Sequence, residues 1–192
     1  MKTPLIILGS IVALIGISIM WYISAGNSLI ALDERTTSAW SQVENVYQRR
    51  ADLIPNLVNT VKGYAKHEAD VLEAITQARA SVGQIKVNSP DDLKKFDAAQ
   101  GQLSSALSRL MVISEKYPDL KADKNFLELQ SQLEGTENRI TIERQRFNDV
   151  AREYNTAIRQ FPGSIIAGNK GMKARAYFES KKGSENAPEV KF

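Results

Sequence analysis

Cysteine is absent from the 192-residue chain. That excludes a disulfide framework, a thiolate zinc site, a lipid-modified cysteine and a cysteine nucleophile. Histidine occurs once, at His67. His67-Glu68 opens like a zinc-protease motif, but the second histidine belongs four residues on, where Val71 stands. A zinc site would need three carboxylates around one imidazole. Asp70 is placed to meet His67 as an ordinary surface pair along a helix. There is no glycine-rich phosphate loop between a strand and a helix, and no serine on a sharp elbow. Acidic pairs able to act alone arise by chance among 22 acidic residues, and narrow helices offer them no cleft. The reading is of a chain without catalytic, cofactor-binding or metal residues, and not of an enzyme. An enzyme using carboxylates or a metal near His67 is the rival from a different class.

Net charge is only +3, too little to argue for nucleic acid. Basic and acidic residues alternate along the chain, as on solvated helix faces. Sustained apolar–polar alternation is missing too, so strands are not expected.

The first positive signal is PLIILGSIVALIGISIMWYI, Pro4 to Ile23, which carries no charge. It has the ~20 residues that a helix needs to cross a bilayer. Trp21 and Tyr22 close it, where amphipathic aromatics favour the headgroup zone. A cleaved signal peptide is the alternative, with Ser24-Ala25-Gly26 as its cleavage site, although its apolar core is normally shorter, ~7–15 residues. Lys2 and the amino terminus precede the span, whereas Asp33 and Glu34 precede Arg35 after it. This bias places the N-terminus in the cytoplasm and the bulk of the chain outside an inner or plasma membrane.

Four helical segments follow from apolar spacing. The first, about Ser28 to Ala51, grows from the span with only Gly26 and Asn27 interrupting. The second, about Pro55 to Ile85, has a stripe of Ile54, Leu57, Val58, Val61, Ala65, Leu72 and Ile75. The third opens on Ser89-Pro90-Asp91-Asp92, a serine N-cap with proline at the first helical position. Its heptad seam is Leu93, Phe96, Gln100, Leu103, Leu107, Leu110, Ser114 and Tyr117. The fourth, from near Asp123 to Phe161, carries Phe126, Leu129, Leu133, Thr136, Ile140, Glu143, Phe147, Val150, Tyr154, Ala157 and Phe161. Such narrow stripes must be buried against one another. Short connections make successive helices antiparallel.

The fold class expected is therefore all-α: an N-terminal transmembrane helix and then an elongated antiparallel bundle of three to four long helices. The divisions are an anchor at 1–26, a bundle at 27–161, a capping segment at 162–180 and a disordered tail at 181–192. Pro55 is the anomaly, since proline inside a helix costs roughly 3 kcal/mol. The stripe keeps phase across it, so either one helix bends there or a new one starts with Asp52 as N-cap. Asp52 and Pro55 are read as a structural joint. Arg49 and Arg50 either bind an anionic partner or place positive charge at the end of the first helix.

QRRADLIPNLVNTVKGYAKHEADVLEAITQARASV (Gln48 to Val82), FNDVAREYNTAIRQFPGSIIAG (Phe147 to Gly168) and Tyr177-Phe178, behind an N-terminal anchor, resemble the LemA family of bacterial membrane proteins. The most specific pieces are Asp52-Leu53-Ile54-Pro55-Asn56-Leu57, Ala78-Arg79-Ala80, Tyr154-Asn155 and Phe161-Pro162. The resemblance implies one N-terminal span, a helical bundle and no established catalytic residue. It also implies envelope or stress physiology and, by family association alone, a membrane metalloprotease as partner. The expected role is a membrane-anchored scaffold or adaptor, held in the bilayer by residues 4–23 and assembling with copies of itself. A signal transducer whose helices shift against one another is the third reading.

Overall fold

The computed structural model describes residues 2–87 and 89–179, with side chains from residue 7 onward. The tail expected at 181–192 lies outside the described residues. Six helices follow in order: α1 Lys2–Tyr64, α2 Ala69–Gly83, α3 Pro90–Ser114, α4 Pro118–Lys121, α5 Lys124–Ala157 and α6 Gly163–Lys170. Among the described residues there is no strand. The described residues form two compact units, a first within 2–42 and 145–175 and a second within 43–144 and 176–179.

The second unit is a helical bundle whose core contains most of the seam residues read from the sequence, with Val82, Ala99 and Ala106 added and Tyr117 and Leu129 only half-buried. Val43, Tyr47, Ile54, Leu57, Val58 and Val61 of α1 are buried, with Leu72, Ile75 and Val82 of α2 and Phe126, Leu133 and Ile140 of α5. Along α3 the buried set is Leu93, Phe96, Ala99, Gln100, Leu103, Ala106, Leu107, Leu110 and Ser114. Full burial of each large apolar side chain contributes about 1.5–3 kcal/mol, which short isolated helices cannot gain. Tyr47 meets Phe96 edge-on, with ring centroids 4.9 Å apart. Ser89 caps α3 as expected, accepting from the Asp92 amide at 3.2 Å with Pro90 in the first turn.

The helix boundaries differ from expectation at three places. First, α1 is unbroken from Lys2 to Tyr64, through Gly26, Asn27 and Pro55. A single glycine costs only ~1 kcal/mol in a helix, and Gly26 has Ile166 close beside it. Second, the break falls at residues 65–68, so His67 stands exposed in a turn and not on a helix. Two tyrosine–carboxylate bonds fix the chain around this turn. Tyr64 donates to Asp123 at 2.9 Å and Tyr117 donates to Glu68 at 3.0 Å. Asp123 also caps α5, accepting from the Phe126 amide at 2.9 Å. That amide bond and the Tyr64 hydroxyl hold its carboxyl below the ordinary value. Third, α5 ends at Ala157, and Phe161 is 71% exposed instead of continuing the seam.

The first unit explains that last boundary. Leu29, Tyr154, Ile158, Ile166 and Ala167 form its core, with Ala25, Leu32, Ala157 and Met172 packed against it. For Ile166 and Ala167 to reach Leu29 the chain must turn sharply after α5. Gly163 permits the turn: a β-carbon there would stand 2.1 Å from the Ala157 carbonyl oxygen and 3.5 Å from Leu29. The segment after α6 is tied down by Asn155, which is almost wholly buried. Its amide donates to the Arg175 carbonyl and accepts from the Arg175 amide, both at 2.8 Å. The Arg175 guanidinium then reaches Asp33 at 2.8 Å and lies 5.9 Å from the Tyr154 ring centroid.

Gly163→Ala should therefore destabilise the protein by about 1–3 kcal/mol, the usual range for overpacking. Thermal unfolding of the purified full chain in detergent measures it. An unchanged melting temperature would show that the turn has room to spare.

Candidate functional site

The residues around Pro55 form the most specific constellation in the chain. Proline has no amide hydrogen, so the Ala51 carbonyl, four residues back, loses its helical donor. A carbonyl left unpaired there would cost about 1–3 kcal/mol if buried. It is not left unpaired. The Arg79 Nε of α2 donates to the Ala51 oxygen at 2.8 Å. α1 therefore continues through its proline, and the same bond joins α2 to α1. Pro55 itself is exposed. Asp52 is exposed too and accepts from Gln48 at 2.8 Å, one turn earlier on the same helix. No helix starts at Asp52, so the N-cap reading is corrected.

Arg50 sits one residue before the orphaned carbonyl and points inward. Its side chain is 7% exposed, with Nη1 3.0 Å from Glu137 of α5. Nη2 donates to the Ser104 hydroxyl of α3 at 2.8 Å. The helix does not end at Arg50, and the guanidinium faces Glu137 of the same unit. Arg49, its neighbour, is exposed. Burial of a guanidinium is costly unless its donors are satisfied, and loss of one partner of such a pair typically costs 3–5 kcal/mol.

A polar layer continues from Arg50. Arg144 pairs with Asp97 at 2.9 Å, and its guanidinium lies 4.4 Å from the Phe178 ring centroid. Arg144 also donates to the Glu179 carbonyl at 3.2 Å. The buried Gln100 carbonyl oxygen has no hydrogen-bond partner among the described residues, and the buried Tyr47 hydroxyl faces the Arg144 guanidinium. Burial raises the Tyr47 pKa, opposed by the positive charge of Arg144. Among the described residues, no three of His, Asp and Glu converge as metal ligands would.

The LemA family model matches residues 39–192. The chain belongs to the LemA family. It is 27% identical to Protein LemA of Metamycoplasma hominis, over 86% of this chain and 74% of that one. It is 28% identical to Magnetosome protein MamQ of Magnetospirillum gryphiswaldense, over 90% of this chain and 70% of that one. Magnetosome protein MamQ 1 of Paramagnetospirillum magneticum is 26% identical over the same shares.

The motifs that carried the LemA resemblance now have physical tasks. Pro55 of the first and Arg79 of the second are the two ends of one problem, a missing donor and its replacement. Asn155 holds the backbone of residue 175. Phe178 lies under the Arg144 guanidinium. Sequence reading singled out Arg79 and Asn155 without a role for either. The available signal was the need for an outside donor wherever a proline interrupts a helix.

A double-mutant cycle tests the Arg79 assignment. Arg79→Met should cost about 1–2 kcal/mol in the parent, as expected for a lost bond to a part-buried carbonyl. Pro55→Ala returns an amide to that carbonyl, so Arg79→Met should cost distinctly less in its presence. The expected coupling is about 0.5–1.5 kcal/mol. Additive effects in denaturant unfolding would contradict the assignment.

Proposed function

We propose that this LemA-family chain is a membrane-anchored scaffold of the bacterial envelope that acts by protein–protein contact, first with copies of itself. One observation carries the reading. α1 is a single helix whose first part, from Ile7 to Ile23, is apolar and exposed, and whose part beyond Val43 contributes a buried stripe to a helical bundle. A bilayer supplies the surroundings that the first part needs. The same helix, through its second part, then carries the bundle. The family members it resembles are named as a LemA protein and as magnetosome proteins, names that state no reaction.

Self-association is supported by large apolar side chains left exposed on the second unit. Val112 of α3 is 69% exposed, and Leu127 and Ile142 of α5 are each 49% exposed. A membrane metalloprotease partner rests on family association alone. Orientation follows the charge bias: Lys2 before the span, Asp33 and Glu34 ahead of Arg35 after it. The N-terminus is then cytoplasmic and the chain beyond the span is extracytoplasmic.

In lipid nanodiscs or mild detergent the full chain is expected to run as a defined oligomer by light scattering, and to cross-link to itself in intact cells. A strict monomer with no cross-linked product would overturn the scaffold reading. A C-terminal reporter fusion active only in the cytoplasm would reverse the topology.

A further inference from the structure

The corner between α5 and α6 presents an apolar and basic surface at the level of Trp21. Phe161 is 71% exposed and Ile165 52% exposed, although Ile166 beside them is fully buried. The Phe161 ring lies 5.7 Å from the Trp21 ring, tilted by 47°. Ile166 meets α1 at Gly26. Five residues separate Trp21 from Gly26, so the corner reaches about 7.5 Å back along α1 from that contact. It reaches toward the apolar span, where Tyr22 and Ile23 are also exposed.

Along the chain that runs through this corner the charges are of one sign, and the acidic group that meets it is Asp33 of α1. No acidic residue occurs between Glu153 and Glu179, a stretch that holds Arg159, Lys170, Lys173 and Arg175. Arg175 is engaged by Asp33. Arg159, Lys170 and Lys173 are exposed. α1 carries no charge from Thr3 to Leu32. Exposed aromatic and aliphatic side chains flanked by unopposed cations are the chemistry that an anionic lipid surface recognises.

We infer that the α5–α6 corner is a second membrane contact: Phe161 and Ile165 enter the interfacial zone beside Trp21, and Arg159, Lys170 and Lys173 meet anionic headgroups. The inference rests on the anchor reading of α1. With two points of attachment, the depth and tilt of the first unit at the bilayer are set. A single spanning helix would leave its tilt free.

The absence of native cysteine makes the test direct. Single nitroxide labels are placed at Ile165→Cys, at Ser164→Cys in case the first disturbs folding, at Ile15→Cys within the span, and at the exposed Lys95→Cys of α3 as a reference. The full-length protein is reconstituted into phosphatidylcholine vesicles with and without phosphatidylglycerol. Collision rates are measured with oxygen, which partitions into lipid, and with a water-soluble nickel chelate.

The expected result at position 165 or 164 is a severalfold higher oxygen-to-nickel ratio than at 95, rising further with phosphatidylglycerol. A water-like ratio there, with position 15 in the bilayer, would overturn the second contact and leave the anchor standing. Shielding from both reagents would also overturn it, and would assign the corner to a protein contact. A water-like ratio at position 15 would remove the anchor reading and this inference with it.

Discussion

A single carbonyl oxygen, that of Ala51, sets the terms for the second unit. Pro55 removes its donor inside a 63-residue helix, nine residues before the helix ends. A helix in that position normally kinks, ends, or recruits a donor from elsewhere. Here the donor is Arg79, from the next helix in the chain. The consequence is twofold: α1 keeps its apolar stripe in register on both sides of the proline, and α2 gains a fixed point on α1 that apolar packing alone would not specify. Hydrophobic contacts between helices tolerate sliding, whereas a bond to one particular carbonyl does not.

The same logic recurs at the other conspicuous residues. Arg50 binds Glu137 and Ser104 from two helices at once. Asn155 pairs with both backbone groups of residue 175, as a neighbouring strand would. Gly163 leaves room for the Ala157 carbonyl. In each case a distinctive residue serves a backbone atom or satisfies a buried charge. The net worth of each bond is modest, about 1 kcal/mol, but each unpaired group would cost more than its bond contributes.

Much of the fold was legible because burial follows helical spacing. The α3 seam from Leu93 to Ser114 and its Ser89 cap were readable residue by residue, since cap, proline and apolar spacing agree. The α5 seam was readable as far as Tyr154. It failed at Phe161, because spacing alone does not reveal that Gly163 lets the chain double back four residues earlier. The boundary near Pro55 was misplaced for a different reason. Proline argues locally for a helix end, and the donor that cancels the argument lies 24 positions beyond Pro55, at Arg79. Conversely, nothing local announces the turn at 65–68, which two tyrosines fix through Glu68 and Asp123. Arg50 looked like a surface cation because its partners, Ser104 and Glu137, are distant in sequence. Tertiary bonds to charged or backbone groups are what periodicity cannot express.

The most direct test of this account is the distance between nitroxide labels at Glu44→Cys and Lys62→Cys, exposed positions on α1 on either side of Pro55. They are separated by 18 residues, five helical turns, so an unbroken helix places their α-carbons about 27 Å apart on one face. Pulsed electron–electron spectroscopy should give one narrow distribution consistent with that span in the parent. It should broaden or shift with Arg79→Met and narrow again when Pro55→Ala is added. The same narrow distribution with and without Arg79 would show that the helix crosses its proline unaided, and the central claim would fail.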